Sequence, residues 1–502
     1  MAPETLNLGD VFAAHRDSDR IAVVDLYRSD APREIDFRTL NAEVDALARG
    51  LVGAGLGKGD RVGILALNRV EFLEVLFGSM RAGCVPVMIN AKLPAEQVRY
   101  IVADAGAKIV FSDPEFAHLC ADDANIVRFD DDYDAFKDPG AFESFVPGPQ
   151  DIAEQPYTSG STGRPKGVLL HHHGQCWMID QLVDSRDMGV DDCGVISAPL
   201  YHKNALLAVK SALAPGGRVV LLPRFDVELY IRSIERYRLT MLTGVPTMYA
   251  LMLQQEELLD SIDRSSVRAM SMGSAPASEV LLDRLQERFP GARINLNYGI
   301  TEGGPVLLSW KHPDGIPRPR VSVGYPLPDV EIRLEDGPDE NQGILHTRNP
   351  GVMLGYHNLP EESAKALKDG WLDTGDILRR DENGWFYFVG RSDDMFVTGG
   401  ENIYPGDVET MLERNDAIMQ AVVVPAPNAL KAHVPHAFIV LRDGETLTED
   451  EVKKFALANA PAYAHPRRVF FVDALPLAGT NKIDRKLLIQ RATEAAEADG
   501  TA

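Results

Sequence analysis

The chain has 502 residues, 45% of them hydrophobic and 25% charged, with 51 Lys+Arg against 74 Asp+Glu and a formal net charge of −23. That balance suits a globular protein and excludes low-complexity disorder, collagen and coiled coil as the main architecture. The charge argues against a nucleic-acid binder, which needs a basic face, yet leaves room for a small anionic ligand held by a few local donors.

The length allows roughly two to four domains. From the N-terminus the pattern alternates. Leu40, Val44, Leu47 and Leu51 recur at helical spacing within 37–54, followed by a strand at 61–67 and a helix at 70–83. A strand at 84–89, a helix at 94–105 and a strand at 108–111 continue the series. The rhythm resumes with strands near 192–198, 218–222, 241–242 and 293–297 and helices near 204–213, 227–236 and 278–289. Such alternation predicts α/β architecture, with parallel sheets covered by helices. Short alternating segments at 331–334, 343–347 and 385–389 sit between Gly and Pro turns and predict a small barrel-like β-region.

After Gly390 the texture changes. A helix at 406–414, strands at 418–424 and 436–441, a helix at 448–458 and a strand at 468–472 predict a compact α+β unit of ordinary domain size. The expected division is therefore 1–390 and 391–502. The acidic stretches 130–134 and 494–499 are expected to be solvated surface.

No apolar run reaches the ~18–20 residues of a membrane helix. The first residues show no basic region before an apolar core, as a secretory signal would. Cys84, Cys120, Cys176 and Cys193 form neither a disulfide framework nor the close pairs of a zinc site. A reducing cytoplasm is the expected setting.

The most informative segment is Tyr157-Thr158-Ser159-Gly160-Ser161-Thr162-Gly163-Arg164-Pro165-Lys166-Gly167, followed by apolar Val168, Leu169 and Leu170. Glycines let backbone N–H groups approach phosphate oxygens, hydroxyls donate, and one ammonium balances charge. The spacing is not that of the common P-loop. His171, His172 and His173 follow. Adjacent residues on a strand face opposite ways, which argues against a shared metal.

This loop resembles that of the adenylate-forming superfamily, which includes acyl- and aryl-CoA synthetases, luciferases and peptide-synthetase adenylation domains. The resemblance extends in order through Tyr298-Gly299-Ile300-Thr301-Glu302, Thr374-Gly375-Asp376, Gly390-Arg391-Ser392-Asp393-Asp394, Gly399-Gly400-Glu401-Asn402-Ile403-Tyr404-Pro405 and Asn481-Lys482-Ile483-Asp484-Arg485. It implies a large N-terminal domain and a small mobile C-terminal one. It implies a carboxylate joined to ATP as acyl-AMP, then transferred to a thiol. The phosphate loop, with Lys166, would hold the β- and γ-phosphates. Thr301 would touch the α-phosphate, and Glu302 would hold Mg²⁺. Gly273, Ser274, Ala275, Pro276, Asn297, Tyr298 and Gly299 would wall the adenine slot. Asp376 and Arg391 would take the ribose. Lys482 would stabilise the charge between the attacking carboxylate and the α-phosphate. Asn481 replaces the commoner Gly, as in aryl-CoA ligases.

Pro199-Leu200-Tyr201-His202 resembles the segment beside the reacting carboxyl in the CoA-ligase branch, with His202 as gate to the thiol tunnel. No acidic residue lies between His202 and Pro215 to pair with an amino acid's ammonium. The acyl pocket is expected from Tyr201, His202, Val245, Met272 and Gly299. Lys203 is expected to point outward. Gly399, Gly400 and Glu401 would border the pantetheine path, and Arg467 and Arg468 form a basic spot that would either grip the CoA nucleotide's phosphates or be ordinary surface charge. Asp393 aligns with the family's hinge. The turn 427–433 departs from the family pattern. The resemblance thus implies an acid–CoA ligase for a medium alkyl or aromatic acid, using ATP, Mg²⁺ and coenzyme A, with a homodimer allowed. A stand-alone adenylating enzyme or luciferase-like enzyme is the alternative.

Overall fold

The computed structural model describes residues 7–159, 164–273, 277–304, 306–398, 401–477 and 483–499. The chain is α/β. A seven-stranded sheet runs in the order Arg293–Asn297, Ala269–Gly273, Met241–Gly244, Cys193–Ile196, Arg218–Leu221, Ile21–Asp25, Arg33–Asp36. All its neighbours are parallel except the last pair. A second sheet, Val85–Met88, Arg61–Leu65, Ala107–Ser112, Ile126–Arg128, is parallel throughout.

Strand alternation divides the seven-stranded sheet between two cores. Val23 and Val219 join a cluster with helices Phe37–Gly53, Val70–Arg81 and Lys203–Leu213, whereas Val24 and Val220 join one on the opposite face. Helix Phe37–Gly53 begins where Asp36 accepts a hydrogen bond from Thr39 N at 2.7 Å, and it buries Leu40, Val44, Leu47 and Leu51. The expected β-region is a five-stranded antiparallel sheet built on Glu331–Asp339, Gln342–Arg348, Trp371–Arg380 and Phe386–Arg391.

From Phe396 onward another five-stranded sheet carries its own cores. One of them adds a buried side to the helix that carries the acidic tail, whose Glu494, Glu497 and Asp499 are exposed as expected. Residues Arg485–Ala498 form a helix whose Leu488, Ala492 and Ala496 are fully buried against Val422, Val424 and Phe438. The i, i+4, i+8 stripe of one Leu and two Ala is weak in apolar signal, with Gln490, Arg491, Thr493 and Glu494 between its members. The 130–134 stretch is likewise more than surface: Tyr133 is buried, and Asp130 accepts from Arg69 Nη2 at 2.8 Å. Among the described residues, no helix is long and apolar enough to cross a membrane.

Leu488→Ala should lower stability by about 2–5 kcal/mol, read from the urea midpoint. Ile489→Ala, on the exposed face of the same helix, should change it by less than about 1 kcal/mol.

Candidate active site

Four neighbouring parallel strands deliver the motif residues to one edge. His202 follows Cys193–Ile196, Val245 follows Met241–Gly244, Gly273 ends its own strand, and Tyr298 to Glu302 follow Arg293–Asn297. Segments about a hundred residues apart in sequence thus meet at the carboxyl ends of adjacent strands, where open α/β sheets bind ligands.

Asp376 is the electrostatic centre of this edge. It is 4% exposed, accepts from the Tyr298 hydroxyl at 2.8 Å, and lies 3.2 Å from an Arg391 guanidinium nitrogen. The register explains the ion pair: Asp376 and Arg391 face each other across antiparallel strands. Gly375 beside it has φ +67°, a left-handed conformation that suits glycine, and an added Cβ would sit 3.3 Å from the Arg391 guanidinium. Burial raises the Asp376 pKa to about 6 against the opposing pull of Arg391. Arg391 also donates through Nε to Asp393 Oδ1 at 2.7 Å, which ties the hinge candidate to the ribose candidate. Tyr298 is itself buried, with its ring 6.2 Å from Phe388.

The arms of the phosphate loop are the paired strands Tyr157–Ser159 and Pro165–His171, which set Thr158 opposite Lys166. Thr158 Oγ1 donates to Glu302 Oε1 at 3.2 Å, and the Tyr356 hydroxyl donates to the same oxygen at 3.1 Å. Lys166 donates to Glu362 at 2.8 Å and lies 5.1 Å from the Tyr356 ring centroid. Its hydrogen bond, with that of Lys365, holds the Glu362 pKa down at about 2. Tyr356 and Glu362 carried no sequence signal, because both lie outside the motifs. Thr301 and Glu302 form a short 3₁₀ turn with Gly303.

Asn297 is arranged differently from its expected place at the adenine edge. Its Nδ2 donates to Ser271 Oγ at 2.6 Å and to Met272 O at 3.2 Å, while its Oδ1 accepts from Arg186 at 3.1 Å. Two of these partners, Arg186 and Ser271, also line a small cavity with Asn204, Ala208, Thr243 and Gly244, among others. Helix Lys203–Leu213, which starts at His202, forms one wall. The Tyr201 ring packs edge-on to His202 at 4.6 Å. Met272 and Val245, expected as lining, are buried in the core instead. The correction follows from strand parity: Ser271 faces the cavity, so its neighbours Met270 and Met272 face away.

Lys203 also corrects its expectation. It does not point outward. Lys203 and Lys210 share a helix face that is buried, and both ammonium groups meet the fully buried Glu154 carboxylate, Lys210 at 2.6 Å. One carboxylate balances only one ammonium. Burial therefore drives both lysines' pKa values down, Lys210 to about 7. His171 accepts from Gly174 N and caps helix His172–Arg186, and His172 accepts from Leu8 N at 2.9 Å. Burial lowers the His172 pKa to about 4. Among the described residues, no group of three or more His, Cys, Asp or Glu could hold a metal.

In the C-terminal sheet Glu401 is exposed at the start of its strand. Arg467 meets His465 at 2.7 Å, and Arg468 pairs with Asp499 at 2.5 Å. Gly160, Ser161, Thr162, Gly163, Ser274, Ala275, Pro276, Gly399, Gly400 and Lys482 lie outside the described residues, as does the side chain of Ser159.

Comparison with known proteins accounts for this constellation. The AMP-binding enzyme model matches residues 12–357, and the AMP-binding enzyme C-terminal domain model matches residues 407–482. A feruloyl-CoA synthase from an Amycolatopsis species is 34% identical over 460 residues, covering 89% of this chain and 92% of its own. The rice (Oryza sativa subsp. japonica) 4-coumarate–CoA ligase 5 is 31% identical, covering 88% of each. The anthranilate CoA ligase AuaEII, solved with anthranoyl-AMP, superposes with a TM-score of 0.88 at 26% identity over 99% of both chains. The chain belongs to the AMP-binding enzyme family, as an AMP-forming acid–thiol ligase.

Because its pKa is raised, Asp376 is a full carboxylate only above about pH 6. Adenosine, which has no phosphate to titrate, should bind more weakly as pH falls from 8 to 5, with the loss centred near that value. Asp376→Asn should bind weakly and show no such step by calorimetry. The sign for folding is opposite: the neutral acid below that pKa is the form that burial favours.

Proposed function

We propose that the protein is an ATP-dependent acid–CoA ligase acting on a medium-sized alkyl or aromatic carboxylic acid. The observation that supports this most is the Asp376–Tyr298–Arg391 array with the Thr158–Glu302 pair, next to which Asn297 contacts Arg186 and Ser271 of a small cavity with no acidic side chain among its described lining residues. An amino acid's ammonium would find no partner there, whereas a plain acid fits. The relatives named for aromatic acids point the same way.

In the first step a carboxylate oxygen attacks the α-phosphorus and pyrophosphate leaves. Like charges are brought together, so positioning and neutralisation dominate. Asp376 accepts from the ribose hydroxyls, and Arg391 donates beside it. Lys166 turns from Glu362 to the β- and γ-phosphates. Glu302, with hydroxyls from Thr158 and Tyr356 on one oxygen, offers the hard oxygen set that suits Mg²⁺. That ion, when bound, neutralises phosphate charge. A single carboxylate fits an ion that arrives with the nucleotide. Lys482 stabilises the developing charge at the α-phosphate.

In the second step the thiol attacks the acyl carbonyl and AMP leaves. The proposed units 1–390 and 391–502 rotate about Asp393, exchanging Lys482 for the Gly399–Gly400 face. This movement breaks or carries along the Arg391–Asp393 pair. His202 gates the path between acid and thiol.

A panel of acids, with pyrophosphate release measured with and without CoA, tests the reading. Pyrophosphate release with no thioester in the presence of CoA would overturn it. Lys482→Ala should slow acyl-AMP formation by about 10²–10³ and leave thioester formation from supplied acyl-AMP largely intact. Comparable loss in both halves would reject that role. Gly400→Leu should do the reverse, blocking the thiol while adenylation proceeds, as single-turnover assays would show.

A further inference from the structure

The cavity beside helix Lys203–Leu213 holds a cation without a counter-ion. Arg186 ends helix His172–Arg186, and its guanidinium lies against the cavity wall through Asn297 and Ser271. A guanidinium has five N–H donors in a fork shaped for a carboxylate. Among the described residues, this one makes a single hydrogen bond, to Asn297 Oδ1 at 3.1 Å, and no ion pair. The helix C-terminus offers partial negative charge, but that leaves most of the fork unfilled.

Other arginines packed into the fold, buried Arg69 and Arg81 and half-buried Arg318, show how unusual this is. Arg69 meets Glu71, Asp113 and Asp130 at 2.7, 2.7 and 2.8 Å. Arg81 meets Asp10 and Asp45 at 2.9 and 2.7 Å. Arg318 has no carboxylate, yet Ser322 O and Asn295 Oδ1 together accept from all three of its nitrogens. Arg186 opens instead onto the acyl cavity. Burial lowers its pKa to about 10, so it stays charged at neutral pH. A half-buried cation with open donors is a favourable receptor for an anion and a poor neighbour for a methyl group. Small residues, Ala198, Ala205, Ala208 and Gly244, are among those that line the same cavity.

We propose that Arg186 receives a second carboxylate at the far end of the acid substrate, so that the enzyme selects diacids over acids of the same shape with an uncharged tail. The inference rests on the acid–CoA ligase reading and narrows its substrate class. Asn297 orients the fork from one side, and Asn204, Thr243 and Ser271 supply further polar contacts.

The experiment compares matched pairs: glutarate with pentanoate, adipate with hexanoate, and 4-carboxycinnamate with 4-methylcinnamate. The readout is kcat/KM for acid-dependent pyrophosphate release. In the wild type, at least one pair should favour the tail carboxylate by about 10²-fold or more, mostly through KM. Arg186→Gln should bring that ratio to one or below, and Arg186→Lys, which keeps a cation, should retain part of it. A wild-type enzyme that prefers the uncharged tail in every pair overturns the proposal, whether or not the variants fold. So does a folded Arg186→Gln protein with an unchanged ratio. No release with any acid would overturn the ligase reading and this inference together, whereas release with uncharged tails alone sinks only the inference.

Discussion

One buried carboxylate joins the two halves of the candidate site. Asp376 lies on the antiparallel sheet, its hydrogen-bond donor Tyr298 follows the last strand of the parallel sheet, and its ion partner Arg391 ends the next antiparallel strand. A buried carboxylate is tolerated only when its oxygens are satisfied. The proposed nucleotide residues are therefore held in one arrangement across two sheets. Arg391 in turn reaches Asp393, so the group that fixes the ribose position also touches the proposed pivot.

The same logic of compensated charge governs the rest of the N-terminal region. Arg69 ties the strand exits of both parallel sheets, because Asp113 follows Ala107–Ser112 while Glu71 is shared with Arg33, which pairs with Asp25. Removing one member of such a network leaves an unpaired buried charge, which is why these contacts resist substitution more than exposed pairs do. Against that background, among the described residues, the Lys203–Lys210–Glu154 cluster and Arg186 keep an excess of positive charge. At Lys203, Lys210 and Glu154 burial relieves the excess by lowering the lysines' pKa values, directly after His202, the proposed gate. At Arg186 it cannot be relieved by proton loss at neutral pH, and the opening faces the cavity.

Lys166 shows how charge is stored before ligand arrives. Its pairing with Glu362 keeps an ammonium ordered at the root of the phosphate loop without burying it. Exchange of one anion for another then requires little rearrangement, which is the preorganisation that phosphoryl chemistry relies on.

How much of this was legible in the sequence depends on the kind of signal. Glycine- and hydroxyl-rich loops, a Tyr-Gly-Ile-Thr-Glu turn and alternating helix and strand periods are local, so the residues alone determined the α/β class and singled out the candidate site residues, whereas their place at the strand ends came from the fold. Three things were not local. The direction of Lys203 depended on Glu154, a partner on a distant strand. The lining of the cavity depended on strand parity, which put Ser271 in and Met272 out. The terminal helix had a buried stripe of only one Leu and two Ala, Leu488, Ala492 and Ala496, with Gln490, Arg491, Thr493 and Glu494 between them. The open fork of Arg186 belongs with these: as a lone arginine closing a helix it carries no motif, and only the packing of Asn297, Ser271 and helix Lys203–Leu213 around it makes its charge matter. Sequence determines which groups are available, whereas burial and pairing, which set their energy, exist only once the chain is folded.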